Sequence, residues 1–229
     1  DYNGDSQYGV SYGQFNQRRG LRCSASDAFL KPIMRRKNLE LRTGCMVRHL
    51  VVSNGRVTSV VYERDGALFQ VKAHRTVLCG GAINTPKLLM LSGIGHGSEL
   101  QNHGISVIKH TPAVGKNLLE HPLMRPTFRS VKPSYNPSGG LLQALGFLAK
   151  FLFTGQGPIA APFEGQLFLK STPEELLPDV QMHFSLVGMV NTQGSQHKGI
   201  TVLPYPAFSF FVNNSYPKSK GTVKLASAD

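Results

Sequence analysis

A glycine turn between two apolar segments is the feature of this sequence best suited to chemistry. Residues 77–95 read VLCGGAINTPKLLMLSGIG. Gly80 and Gly81 permit a tight turn and a close approach of the backbone to a ligand. A strand, a glycine turn and a helix start, in that order, present free amides that suit a nucleotide. The pattern therefore predicts either a contact with a nucleotide cofactor or an ordinary strand-to-helix connection.

Other reactive residue types form weaker patterns. The segment GIGHG at 93–97 follows a helix-like run instead of a strand, so it does not match a dinucleotide fingerprint. Eight histidines and three cysteines show no metal-binding spacing, and no serine lies in GxSxG. The sequence therefore predicts no metal site and no serine nucleophile.

Two titratable residues interrupt apolar, strand-like segments. Glu164 lies in GPIAAPFEGQLF, where it is either on the solvent side of a strand or buried with a partner. His183 lies in PDVQMHFSLV and alternates with Val180, Met182 and Phe184. Its ring could face a pocket or solvent, and solvent is the default expectation for a lone histidine in a strand.

The elements that must position these residues begin with a β-meander. Residues 45–73 contain three strand-like runs separated by Asn54-Gly55 and Asp65-Gly66, which are typical of two-residue hairpin turns. The next run, RTVLC (75–79), lacks polar alternation and predicts a strand buried on both faces.

Helices are indicated by capping residues and by apolar spacing. Thr85 and Pro86 predict an N-cap and a first helical residue, and Gly93 predicts a left-handed stop. Ser24 predicts the start of another helix, which Pro32 should bend or end.

The second half of the chain has a different character from about Arg125. An amphipathic helix is expected at 141–153, and residues 1–22 read as a loop. Four segments read as strands of one sheet: GPIAAPFEGQLFLKS, PDVQMHFSLVG, GITVLPYPAFSFFVNNS and KGTVKLAS. The expected fold class is α/β (α+β overall), with a domain boundary near 122–128.

The net charge of +12 comes from short basic clusters. None is interleaved with stacking aromatics, so a nucleic-acid surface is not expected. No segment has the length of a membrane span. The sequence starts without Met and stops after a strand-like run, which suggests a fragment, and its compartment cannot be read from it.

The segment GGAINTPKLLMLSGIG resembles the second signature of the glucose-methanol-choline (GMC) family of flavin oxidoreductases. The matching positions are Gly81-Ala82, Thr85-Pro86, Leu88-Leu89 and Ser92-Gly93-Ile94-Gly95. VGKNLLEHP is similar to the family's VGxNLxDHP, with Glu120 in place of Asp. The resemblance covers essentially the whole chain and is choline dehydrogenase-like.

This resemblance implies an internal portion of a GMC enzyme. Residues 1–124 would form part of a Rossmann-like FAD-binding domain, with the meander at 45–73 and the signature at 81–95. Residues 125–229 would form part of a substrate domain built on an antiparallel sheet with helices. The family's N-terminal GxGxxG fingerprint and its C-terminal catalytic histidine block are absent from these residues.

The resemblance also implies the residues that hold the cofactor, FAD. The backbone of Val47 matches the position that meets the adenine. Cys79, Gly80 and Gly81 would approach the adenosine half of FAD, and Asn117 matches a segment near the flavin. Glu164 and His183 match strands that can line the substrate pocket.

The implied reaction is the oxidation of an alcohol by hydride transfer to flavin, with oxygen or a quinone as electron acceptor. Its catalytic residues are expected downstream of Asp229. A light-driven decarboxylase would need a cysteine near Glu164, and the three cysteines lie elsewhere. A catalytically inactive fragment, or a binding remnant that holds no stable FAD, is the alternative.

Overall fold

The computed structural model describes residues 3–137, 139–161, 163–192 and 199–228. The strands are β1 (Gly9–Tyr12), β2 (Gln17–Arg18), β3 (Leu21–Arg22), β4 (Met46–Ser53), β5 (Arg56–Arg64), β6 (Ala67–Lys72), β7 (Ile94–Gly95), β8 (Lys109–His110), β9 (Leu123–Met124), β10 (Thr127–Arg129), β11 (Gly165–Leu169), β12 (Val180–Ser185), β13 (Met189–Thr192), β14 (Gly199–Val202) and β15 (Ala207–Asn214). The helices are α1 (Gly81–Leu91), α2 (Gly97–Asn102) and α3 (Gly140–Thr154). The fold is mixed α/β with antiparallel sheets, as predicted.

The contacts divide the chain into two compact units. Unit 1 consists of Asp1–Leu39 and His121–Pro217, and unit 2 of Glu40–Glu120 and Lys218–Asp229. The predicted division into a cofactor domain (1–124) and a substrate domain (125–229), with a boundary near 122–128, stays a prediction.

Unit 2 is built on the predicted meander of β4, β5 and β6. Both of its turns need positive φ at two successive residues, which Asn-Gly and Asp-Gly pairs provide. The values are 51° and 74° for Asn54 and Gly55, and 51° and 77° for Asp65 and Gly66. The prediction of a meander within 45–73 is confirmed.

The segment before α1 differs from its prediction. Residues 75–79 belong to no strand ladder of the described residues, and the Val77 side chain is 82% exposed. A strand that is buried on both faces lies inside a sheet, where it pairs with other strands along its edges. The described part of the chain supplies no pairing strand for residues 75–79. The helix also begins earlier than predicted, at Gly81 with Gly80 as N-cap, so Pro86 lies inside it and Thr85 is not its cap.

Gly93 ends α1 as predicted, with a φ of 79° directly after the C-cap Ser92. The chain then forms β7, turns through α2 and returns as β8, which pairs in parallel with β7. The Gly93 carbonyl accepts the amides of Ile108 (2.8 Å) and Lys109 (3.1 Å). These bonds attach the end of the signature segment to the return strand.

Unit 1 is built on a six-stranded antiparallel sheet in the order β1-β11-β12-β15-β10, with β9 also paired to β15. Three of the four predicted segments supply its strands β11, β12 and β15. The third of these segments also contains β14, which pairs separately with β13, a strand outside all four segments. The fourth, KGTVKLAS, is not in this sheet, since Gly221 bridges Leu118 within unit 2. Residues 1–22 were expected to form a loop, but β1 pairs along β11 and β2–β3 form a short hairpin.

One face of the unit 1 sheet is aromatic. The rings of Phe128, Phe184, Phe208 and Phe210 contact one another with centroids 5.4–6.4 Å apart. This spacing is typical of stacked and edge-to-face aromatic pairs, which contribute roughly 0.5–1.5 kcal/mol each beyond the burial of their area. These aromatic contacts hold β10, β12 and β15 together on one face of the sheet.

The predicted helix at 141–153 is confirmed as α3, which ends at Gly155 in the left-handed conformation. The helix expected after Ser24 is a π-helical turn over Ser26–Leu30, followed by a 3-10 turn that contains Pro32. Among the described residues, no helix combines the length and apolar character required to cross a bilayer.

Candidate functional site

A cavity of about 470 Å³ lies in unit 2 between β4, residues 76–80 and α1. Small-molecule sites commonly occupy about 300–1,000 Å³, so this space suits part of a nucleotide cofactor. Apolar side chains form most of its wall, including Leu50, Leu78, Leu88 and Leu91.

Ser92 fixes the distance between the two main walls of this cavity. Its hydroxyl accepts the amide of Leu50 on β4 (2.8 Å) and donates to the carbonyl of Leu88 on α1 (2.6 Å). β4 is the edge strand of the meander, so alternate backbone groups point away from β5 and remain available to α1 or to a ligand. The cavity is therefore bounded by an edge strand and a helix that one buried serine connects.

Three of the five residues predicted to hold the cofactor line this cavity: Val47, Cys79 and Gly80. Gly81 starts α1 with a φ of 77° but does not line the cavity. Asn117, with a φ of 59°, lines a separate space of about 250 Å³ beside Ala82 of α1. The structure thus brings the β4 and glycine-turn residues together and leaves Asn117 elsewhere.

Polar residues missed at the sequence level complete the cavity wall. Thr76 lines it with a buried hydroxyl that has no hydrogen-bond partner among the described residues. Asn84 and Lys87 of α1 line it as well. The polar Thr76 within the apolar run RTVLC was the sequence feature that could have indicated a ligand contact. Because the run was interpreted as a strand buried on both faces, no function was assigned to its hydroxyl.

Glu164 lies in unit 1, immediately before β11, and has a specific partner. Its Oε2 accepts the amide of Leu186 (2.8 Å), and its own amide donates to Phe184 (2.9 Å). Burial raises the pKa of the Glu164 carboxyl above its ordinary value of 4.5, against the opposing effect of the Leu186 amide. Of the two alternatives left open by the sequence, the structure shows the half-buried, partnered carboxyl.

His183 lies in β12, directly opposite Gln166 of β11. Its ring is 4.9 Å from that of Phe163 between centroids, and its Nδ1 is buried without a partner among the described residues. Burial lowers the pKa of His183 below 6.5. The default expectation of a solvent-facing histidine is therefore wrong, because the ring packs against an aromatic side chain.

Glu164 and His183 lie close together in unit 1. The Glu164 amide donates to the carbonyl of Phe184, the residue next to His183. This part of unit 1 therefore carries an acid whose pKa is raised and an imidazole whose pKa is lowered. Such a pair can offer a hydrogen-bond acceptor and a neutral ring to a hydroxyl group.

The raised pKa of Glu164 predicts a pH-dependent cost to the stability of unit 1. A raised pKa in the folded state means that stability is lost as the pH rises through that pKa. Glu164→Gln keeps an oxygen for the Leu186 amide and removes the charge. We expect the variant to melt at a higher temperature than the wild type at pH 8, with little difference at pH 4.

Calorimetric melting curves at both pH values measure this difference. Glu175→Gln is the control, because Glu175 is exposed in the same unit. If the difference in melting temperature between Glu164→Gln and the wild type does not increase from pH 4 to pH 8, the raised pKa of Glu164 is contradicted.

No group of three or more His, Cys, Asp or Glu side chains in the described ranges is placed to hold a metal ion. The chemistry of the cavity is instead that of an apolar slot whose wall carries two threonine hydroxyls, one side-chain amide and one ammonium group. This donor set fits the adenosine part of FAD, which combines a flat ring and a ribose, together with the neighbouring phosphates.

Comparison with known proteins shows the family of the chain. The family profile described as GMC oxidoreductase matches residues 1–123. The oxygen-dependent choline dehydrogenase of Rhizobium meliloti (strain 1021) is 37% identical over the whole chain, which spans about 41% of that relative's length.

Solved structures show the same fold. Pyridoxine 4-oxidase from "Mesorbium loti" matches with a TM-score of 0.77 at 24% identity, over 100% of this chain and 40% of its own. Formate oxidase of Aspergillus oryzae RIB40, whose structure concerns modification of its FAD, matches with a TM-score of 0.78 at 24% identity, over 100% and 44%. At these identities the structures support the fold alone, whereas the sequence profile shows the family. The chain belongs to the GMC oxidoreductases, a family of FAD-dependent flavoproteins.

Proposed function

We propose that the cavity of unit 2 binds the adenosine half of FAD, with Val47, Cys79 and Gly80 in contact with it. The observation that carries this proposal is the buried, unpaired Thr76 hydroxyl in the cavity wall. A buried polar group without a partner costs roughly 1–3 kcal/mol, and a bound ligand that supplies the partner recovers this cost. Gly81 and Asn117 are proposed to contact FAD outside the cavity.

The polar residues at the wall have different tasks in this proposal. Thr76 and Asn84 offer hydrogen bonds to the adenosine, while the Lys87 ammonium group offers a positive charge to the phosphates. The exposed amides at the start of α1 favour the same negative charge. The apolar wall excludes water from the flat face of the ring.

We infer that the activity is oxidation of an alcohol, in which bound FAD accepts a hydride from the carbinol carbon. In this proposal residues 1–124 serve the cofactor and 125–229 the substrate. Glu164 and His183 line the substrate pocket, where the carboxyl and the neutral imidazole hold the substrate hydroxyl or a cationic group. The name of the choline dehydrogenase relative supports a choline-like alcohol and oxygen as acceptor; a quinone is the other candidate acceptor.

Protection of a cysteine tests the adenosine site without measuring activity. Cys79 is exposed and lines the cavity, whereas Cys23 lies in unit 1. We expect saturating FAD to slow alkylation of Cys79 by iodoacetamide about tenfold or more, because bound ligand excludes solvent from the cavity. Mass spectrometry of the whole chain measures both cysteines, with Cys23 as the internal control.

AMP should protect Cys79 as FAD does, while riboflavin, which lacks adenosine, should not. In Thr76→Val we expect about a tenfold loss of AMP affinity and a gain of about 1 kcal/mol in the stability of the ligand-free chain, since the unpaired hydroxyl is gone. If Cys79 is alkylated at the same rate with and without FAD, or if riboflavin protects it as well as FAD does, the proposed adenosine site is refuted.

A further inference from the structure

The outer side of α3 is an apolar surface. Six large apolar side chains of this helix are exposed: Leu141, Leu142, Leu145, Leu148, Leu152 and Phe153. Leu142 is 83% exposed and Phe153 is 88% exposed. We call these six residues the α3 patch. A contiguous apolar patch of this kind marks a surface that meets another apolar phase or molecule.

The inner side of α3 is attached to unit 1 through aromatic side chains. The ring of Phe147 meets that of Tyr135 with centroids 5.5 Å apart, and Phe151 lies against Gly20. The helix is therefore held by one side, and the α3 patch is left on the other. The fifteen residues of α3 span roughly 22 Å at 1.5 Å per residue, which suits a helix lying along a surface.

The charged side chains of α3 and of the adjacent β2–β3 hairpin are all positive. Gly155, at the end of α3, packs against the backbone of Arg19 and Gly20 in the β2–β3 hairpin. The exposed side chains of Arg18 and Arg19 therefore belong to this end of the helix, and Lys150 is exposed on α3 itself.

Acidic residues are absent from both segments of the sequence. Residues 6–26 and 139–163 contain no Asp or Glu. The apolar outer side of α3 matches the acyl boundary of a bilayer, and the basic side chains of α3 and the adjacent hairpin match its anionic headgroups.

We propose that the α3 patch and the basic β2–β3 hairpin dock onto an anionic lipid surface. The leucines and Phe153 enter the headgroup–acyl boundary, and Arg18, Arg19 and Lys150 pair with lipid phosphates. This inference is independent of the proposed function, because it uses no residue of the cofactor cavity and neither Glu164 nor His183.

Vesicle co-sedimentation of the whole chain tests the proposal. We expect binding to vesicles of phosphatidylcholine with phosphatidylglycerol to exceed binding to pure phosphatidylcholine about tenfold or more, and to weaken between about 0.1 M and about 0.5 M salt. Leu142→Ser combined with Phe153→Ser should lose about tenfold or more of the binding to anionic vesicles. Arg18→Gln combined with Arg19→Gln should lose the preference for anionic lipid.

Leu176→Ser is the matched control, because Leu176 is 91% exposed in the same unit but lies outside the α3 patch. Its vesicle binding should equal that of the wild type. Circular dichroism checks that each variant is folded, and light scattering measures its mass. A folded wild-type chain that does not sediment with anionic vesicles overturns the proposal, as does a dimer that the Leu142 and Phe153 changes abolish without any loss of lipid binding.

Discussion

Asn136→Ala is expected to destabilise unit 1 by about 3–5 kcal/mol, the range in which a small domain loses much of its stability. Asn136 is fully buried, and its side-chain amide connects three separate parts of the chain. Its Nδ2 donates to the carbonyls of Gly188 and Leu203, both at 2.8 Å. Its Oδ1 accepts the amide of Gly188 (2.8 Å) and the hydroxyl of Ser134 (3.0 Å).

The expected size of this effect follows from the groups left behind. Alanine keeps none of these bonds, and the Gly188 and Leu203 backbone groups stay in place without the amide that satisfies them. An unsatisfied buried polar group costs roughly 1–3 kcal/mol, and several are created together. The loss of packing volume adds to this cost.

Calorimetric unfolding of the whole chain measures the effect as a shift of the unit 1 transition. Asn16→Ala is the control, because Asn16 is exposed in the same unit, and its effect should stay within about 0.5 kcal/mol. Asn136→Asp keeps an acceptor for the Gly188 amide but places a carboxylate oxygen against two carbonyls, so it should also be destabilised. A loss below about 1 kcal/mol in Asn136→Ala would show that the buried network is not a stability determinant.

Gly93→Ala is expected to destabilise unit 2 by about 3–4 kcal/mol, through backbone strain and a steric clash together. Gly93 has a φ of 79°, which an L-residue rarely adopts. A Cβ at this position would lie 2.5 Å from the carbonyl oxygen of Ser106, and backbone cannot move aside as a flexible side chain can. The change would separate the end of α1 from β8 and loosen the cavity wall formed by α1.

Gly104→Ala separates the two contributions to this effect. Gly104 has a similar φ of 71°, but a Cβ there would have nothing within 4 Å. It should cost about 1–2 kcal/mol, from strain alone. Urea unfolding followed by far-ultraviolet circular dichroism compares the two variants. Equal losses at Gly93 and Gly104 would rule out the clash with Ser106.

The elements that local chemistry specifies could be predicted from the sequence. Asn54-Gly55 and Asp65-Gly66 define two-residue hairpins because they tolerate positive φ, and both turns are present. Gly93 ends α1 and the leucine spacing of 141–153 forms α3. Each of these features depends on residues close together in the chain.

Predictions that depended on distant partners were less successful. RTVLC has the composition of a buried strand but no neighbour in any ladder of the described residues, and the supposed cap Thr85 lies inside α1. Residues 9–12 have little periodicity of their own and become β1 because β11 offers them an edge. Strand pairing is decided by the partner, which a local pattern does not contain.

The proposed cofactor site shows the same division between what the sequence and the tertiary structure determine. The sequence alone determined the glycine turn, and through the signature segment the family and its flavin. Only the tertiary structure placed Val47 of β4 beside Cys79 and Gly80, because the Ser92 hydroxyl connects residues 42 positions apart in the chain. It also left the Thr76 hydroxyl buried and unpaired, a property of its surroundings that the identity of a residue does not reveal.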